Sequence, residues 1–93
     1  MTKRELILKM ADDSGITRKD TEKVLNAFIS EVTLALKKKE QVRLFDLGTF
    51  LVKKRKARNG RNPKTGEIIK IKARMVPVFR PARALREAVK DVH

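Results

Sequence analysis

Ninety-three residues suffice for one domain, and 24 Lys and Arg against 11 Asp and Glu give a formal charge of +13. With no cysteine there is no disulfide framework and no thiolate metal site, and no stretch approaches the roughly 20 apolar residues of a membrane span. A small chain this basic points to a polyanionic partner, nucleic acid first and an anionic membrane surface next.

The chain opens on Thr2 and Glu5, a Thr-x-x-Glu capping box, followed by Leu6, Ile7, Met10 and Ala11 at helical spacing. This predicts a first helix over about residues 3 to 13, stopped at Gly15. The acids of the N-terminal stretch and its lack of a long apolar run do not fit a signal peptide, so a soluble intracellular protein is expected. Thr17 and Asp20 form a second start signal. Val24, Leu25, Phe28, Ile29, Val32, Ala35 and Leu36 then make one wide apolar face running to about Lys38. Lys37, Lys38 and Lys39 suit the negative C-terminal end of that helix.

From Gln41 the period changes to two, with Val42 and Leu44 alternating with polar residues. "DLG" turns the chain and "TFLVKKRKAR" begins a second strand. "IIKIKARMV" reads as the returning strand, with Ile69, Ile71 and Ala73 on one side and Lys70, Lys72 and Arg74 on the other. Pro81 reads as a first-turn proline of a last helix. That helix has the apolar stripe Ala84, Leu85, Ala88, Val89 and Val92, and Arg83, Arg86 and Lys90 opposite it. The order is α-α-β-β-β-α, an α+β fold.

Charge is concentrated between the second and third strands. Residues 53–74 carry ten basic residues against one acid, Glu67, or +9 of the total +13. In their middle lies "NGRNPKTGE", where Asn62-Pro63 and Thr65-Gly66 are turn signals. Two limbs of about ten residues at roughly 3.3 Å each would reach about 33 Å, beyond the radius of so small a domain. A projecting arm, loose alone and ordered against a polyanion, is expected. The ordinary reading of a charged hairpin is a solvated loop; the charge excess, limb length and proline tip argue against it.

"GRNPKTGEIIKI" followed by "VPVFRPARAL" closely resembles the bacterial HU/IHF nucleoid proteins, and the resemblance runs over essentially the whole chain. It implies an intertwined homodimer, or heterodimer with a related subunit. Such a dimer has a helical base, a β-sheet saddle and two long β-ribbon arms that embrace the minor groove of double-stranded DNA and bend it. By that resemblance Pro63 is the intercalating wedge, and the tip contacts are Arg61, Asn62 and Lys64. The arm contacts are Lys53, Arg55, Arg58, Lys70, Lys72 and Arg74; the body contacts are Lys3, Arg80, Arg83, Arg86 and Lys90. Residues 1–93 form one domain, with a dimerisation body of 1–52 and 75–93 and an arm of 53–74. A cytoplasmic, nucleoid location follows. The family commonly has glycine where this chain has Lys39, Asp46 and Ala82, and phenylalanine where it has Leu47. These departures bear on local geometry and packing, not on the arm.

Without the arm, about 70 residues remain to build a core, and chains so small often need a second copy. Phe28, Val32, Leu44, Phe45, Leu47, Phe50 and Phe79 are the expected dimer core; an ordinary monomer core is the alternative. Asp12 and Asp13 end a surface helix and lack a catalytic partner, Gly60 and Gly66 have the wrong spacing for a phosphate loop, and terminal His93 has no second metal ligand nearby. No catalytic residue, cofactor, metal or small-molecule substrate is implied. The rival is a basic RNA-binding protein of ribosomal type. An arm for single strands would carry stacking aromatics, and this arm has none.

Overall fold

The computed structural model describes residues 1–92, so His93 lies outside the described residues. Its elements are α1 (Lys3–Ser14), α2 (Arg18–Lys37), β1 (Val42–Leu44), β2 (Gly48–Arg55), β3 (Arg58–Arg61), β4 (Ile68–Ile71), β5 (Arg74–Pro81) and α3 (Arg83–Val89). The chain divides into two units, Met1–Leu34 and a second from Ala35 onward. No helix among the described residues is long and apolar enough to cross a membrane.

In the first unit both helix starts form as their sequence signals require. The Thr2 hydroxyl accepts from the Glu5 N–H at 3.2 Å, and the Thr17 hydroxyl accepts from the Asp20 N–H at 3.1 Å. Gly15, with φ 74°, closes α1 by donating to Ala11 O at 2.9 Å, a left-handed cap that glycine enters without steric cost. Ile7, Ala11 and Thr21 are buried, and the Thr21 hydroxyl is satisfied by Thr17 O at 2.8 Å.

The end of α2 explains one departure from the family pattern. Lys39 donates to Leu36 O at 3.0 Å and Glu40 to Ala35 O at 2.9 Å, the two bonds of a Schellman motif. The motif places Lys39 in the left-handed region, φ 62°, the one non-glycine residue with positive φ among those described. A side chain there costs about 1–2 kcal/mol, and that of Lys39 makes no hydrogen bond or ion pair. Lys39→Gly is therefore expected to stabilise the protein by about 0.5–1 kcal/mol, after the greater chain entropy of glycine is allowed for. Urea unfolding should show a higher midpoint at unchanged slope; a lower midpoint would mean that strain at Lys39 is relieved elsewhere. The other two positions need no such conformation: Asp46 lies in a turn closed by Leu47 N–H to Leu44 O at 3.1 Å, and Ala82 is extended, φ −71° and ψ 160°.

The second unit holds an antiparallel sheet of order β1-β2-β5 and a separate two-stranded ladder, β3-β4. Two expectations are corrected here. The limbs are not continuous strands: pairing stops after Arg55↔Arg74 and resumes at Arg58↔Ile71, leaving Lys56-Ala57 and Lys72-Ala73 unpaired. Like charges directly opposite one another destabilise a ladder, and the break falls beside the Arg55↔Arg74 pair. Pro81 does not start a helix; it ends β5 opposite Gly48, a position where its missing N–H is tolerated at a strand terminus. The last helix consequently begins at Arg83 and ends at Val89, so Val92 lies beyond it, and no α3 residue is buried in the single chain.

Cross-strand register separates the sheet into two chemically distinct faces. One carries Val42, Leu44, Phe50, Val52, Met75 and Phe79, with the Phe50 and Phe79 rings 4.9 Å apart at 47°. The Phe79 ring lies over Gly48: a Cβ there would come within 2.6 Å of it and 2.4 Å of Arg80 O, so only glycine fits. The opposite face carries Arg43, Thr49, Arg80, Lys53, Arg55 and Arg74, together with the Leu51↔Val78 pair. Leu51 is 7% exposed, one of three buried apolar residues along with Ile7 and Ala11 among those described. Met75, expected as core filler, is exposed in the single chain.

Candidate nucleic-acid interface

The tip is shaped by Asn62. Its N–H donates to Glu67 O at 2.8 Å and its C=O accepts from Gly66 N–H at 2.7 Å, narrowing the loop to residues 63–66. Its side-chain oxygen also accepts from Lys64 N–H at 2.9 Å, an Asx turn. Thr65 contributes a weaker local bond, its hydroxyl accepting from Glu67 N–H at 3.3 Å. Gly66, φ 74°, supplies the left-handed residue that the return requires. Pro63 stands exposed in this frame, its ring presented at the head of the ladder. Sequence reading assigned Asn62 to an external contact. The structure gives its carbonyl oxygen an internal one and leaves its side-chain NH₂ without a protein partner.

Below the tip, Arg58, Gly60, Ile69 and Ile71 share one face of the β3-β4 ladder, and Asn59, Arg61, Ile68 and Lys70 share the other. The expected split of Ile69 and Ile71 from Lys70 is present. A Cβ at Gly60 would meet the Ile71 side chain at 2.8 Å, so the isoleucines close over the glycine and give the ladder a small apolar strip. The sequence reading missed this strip. Periodicity alone could have revealed it, since Gly60 falls opposite Ile69. Arg58 thus lies on the face opposite Arg61 and Lys70. Lys72 lies in the unpaired stretch and Lys64 in the tip.

On the body sheet, Lys53, Arg55, Arg74 and Arg80 share the cationic face, and Arg83 and Arg86 follow on α3. Lys90 caps α3 and pairs with Glu87 at 3.1 Å, the one salt bridge among the described residues. Lys3 belongs to the first unit and donates to the Asn26 side-chain oxygen at 2.5 Å, leaving two of its three ammonium protons for other partners. The basic groups of the arm and sheet are therefore exposed and not neutralised by protein carboxylates. No cluster of three or more His, Asp or Glu side chains suited to a metal ion occurs among the described residues.

The expected dimer-core residues divide. Phe50 and Phe79 pack on each other, and Leu44 lies on their face. Phe28 and Leu47 are exposed in the single chain, Val32 is half-buried, and Phe45 is 93% exposed at the β1–β2 turn.

The family described as "Bacterial DNA-binding protein" matches residues 1–90. This chain belongs to the bacterial DNA-binding protein family. Among relatives within the family, the DNA-binding protein HU of Lactococcus lactis is 51% identical over 88 residues, spanning 95% of this chain and 97% of that protein. The HU of Geobacillus stearothermophilus is 47% identical over 90 residues, spanning 97% of this chain and 100% of that protein. Among solved structures, the Anabaena HU–DNA cocrystal structure superposes with a TM-score of 0.93 at 37% identity, covering 98% of this chain and 99% of that one. HU from Thermotoga maritima superposes at 0.70 with 30% identity, covering 96% and 98%. The α+β architecture of the chain is the HU fold.

Proposed function

We propose that this protein is an architectural DNA-binding protein that works as a dimer, grips the minor groove of duplex DNA with two arms of residues 53–74, and bends it. The observation that carries the reading is Pro63, an exposed proline held by three hydrogen bonds of Asn62 at the apex of a segment with ten basic residues and one acid. Phosphate neutralisation by Lys53, Arg55, Arg58, Lys70, Lys72 and Arg74 supplies affinity without sequence information. Arg61, the Asn62 NH₂ and Lys64 suit the narrow, electronegative minor groove. The proline ring replaces stacking at an opened base step; unstacking costs a few kcal/mol, which wrapping more basic surface offsets. Arg80, Arg83, Arg86, Lys90 and Lys3 extend the contact onto the body, residues 1–52 and 75–93.

The dimer follows from the apolar surface left over. Phe28, Val32, Leu44, Leu47, Phe50 and Phe79 form the core shared with a second copy or a related subunit. HU proteins in the comparisons are DNA-binding by name, one of them solved with DNA, and nothing among them favours structured RNA. The protein works in the cytoplasm, on the nucleoid, by binding and bending alone.

Pro63→Ala tests the mechanism because it leaves every charge in place. Alanine presents less apolar face and does not hold φ near −65°. With a doubly labelled duplex of about 35 base pairs at saturation, the mutant complex is expected to have a longer end-to-end distance by resonance energy transfer. Its advantage for nicked over intact duplex should change more than its affinity for intact duplex, since bending costs roughly 1–6 kcal/mol. An unchanged distance would mean that Pro63 only shapes the hairpin tip.

A further inference from the structure

At the end of the body sheet remote from the arm, one cross-strand row runs Arg43, Thr49, Arg80 across all three strands. These side chains and Arg83 line one open depression, floored by Gly48 and bordered by small residues such as Ala82. None of the three arginines has an ion pair, and the Thr49 hydroxyl has no protein hydrogen bond. Two carboxylates also border the depression. That of Glu87 is already engaged by Lys90 at 3.1 Å, and Asp46 alone opposes three guanidinium groups.

The geometry points to a phosphate seat: Arg43 and Thr49 join Arg80 and Arg83 in holding a backbone phosphate of the DNA flanking the arm-bound segment. This rests on the DNA-bending reading above and adds β1, the edge strand, to the contact surface. Guanidinium forks match phosphate oxygens in bidentate fashion, and a free hydroxyl beside them supplies a further donor. Position fixes which phosphate is reached. Thr49 and Arg55 stand six residues apart on β2, roughly 20 Å at about 3.3 Å per residue. That length is about six base pairs of duplex at roughly 3.4 Å each. A short duplex spanned by the arms ends before the seat, whereas a longer one, turned back toward the body, fills it.

Arg43 is exposed on an edge strand, so Arg43→Gln should leave the fold intact, which circular dichroism melting checks. Binding is measured by anisotropy over a salt series, with duplexes of about 35 and about 12 base pairs, for Arg43→Gln, Thr49→Val and Lys19→Gln. Lys19→Gln removes one charge from an exposed position on α2. On the long duplex Arg43→Gln is expected to flatten the log–log salt slope by about one unit per protomer, and Thr49→Val to weaken binding several-fold at unchanged slope. On the short duplex neither should differ from wild type by more than Lys19→Gln does. Equal effects of Arg43→Gln on both duplexes, an effect on the long one no larger than that of Lys19→Gln, or an unchanged affinity for Thr49→Val would overturn the seat. The wild-type slope is read in the same series. A shallow one would count against the two-arm reading itself, separately from any result at Arg43.

Discussion

Raising the salt from 50 to 200 mM is expected to weaken binding of the wild-type protein about ten-thousand-fold. Each neutralised phosphate contributes a slope near −0.9 in log K against log salt, so four per protomer and eight per dimer give about −7. Four per protomer is a modest demand on a segment with ten basic residues and one acid, in which no described residue forms an intramolecular ion pair. Protein carboxylates compete little for these groups, so binding releases the counterions held by DNA. An isotherm series on one duplex measures the slope. A value shallower than about −3 would mean that the arms contribute little, and the apolar wedge would then have to carry affinity that a single proline ring cannot supply.

The parts of this structure that were legible from sequence are those decided by neighbours in the chain. Thr2, Gly15 and Thr17 mark helix boundaries through bonds spanning three or four residues, and each forms as its sequence signal requires. The tip was legible for the same reason, since Asn62-Pro63 and Gly66 confine the turn locally. Where partners are remote in sequence, reading failed. The strand break at Lys56-Ala57 lies opposite Lys72-Ala73 and beside the Arg55↔Arg74 pair, and periodicity along either limb shows no interruption. Pro81 was compatible with a helix start until pairing with Gly48 drew it into β5.

The candidate site shows the same division. Its charge was plain from composition, but the distribution of that charge over faces was not. Arg43 drew no attention in a strand of three residues; only the register with Thr49 and Arg80 sets it on the cationic face. Asn62 looked like a contact because its amide suits a groove, yet half of that amide holds the turn. Lys39 looked like a departure that unsettled the end of α2. The Schellman bonds form around it regardless, because Glu40 and Ala35 close the motif through backbone atoms.

The second large effect is expected at Phe50. Within a single described chain the buried apolar residues are Ile7, Ala11 and Leu51, too few to hold a domain against its chain entropy. Phe50 is half-buried, against a Phe79 ring that is itself 39% exposed and rests on Gly48. If a second copy covers that face, Phe50→Ala removes a fully buried ring and leaves a cavity that the Phe79 and Gly48 contact prevents from collapsing. The loss is then about 3–5 kcal/mol. Folding coupled to association also makes the wild-type melting temperature rise with protein concentration. The two readouts work together. In a self-sufficient monomer the ring stays partly wet, so truncation costs less, and the melt ignores concentration. A dimer gives both a large loss and a concentration-dependent melt, with the Phe50→Ala protein shifting toward the monomer mass in sedimentation at low micromolar concentration. A concentration-independent melt at monomer mass for the wild type would overturn the shared core. DNA bending would then have to come from one arm, whose single proline offers one kink and not a pair.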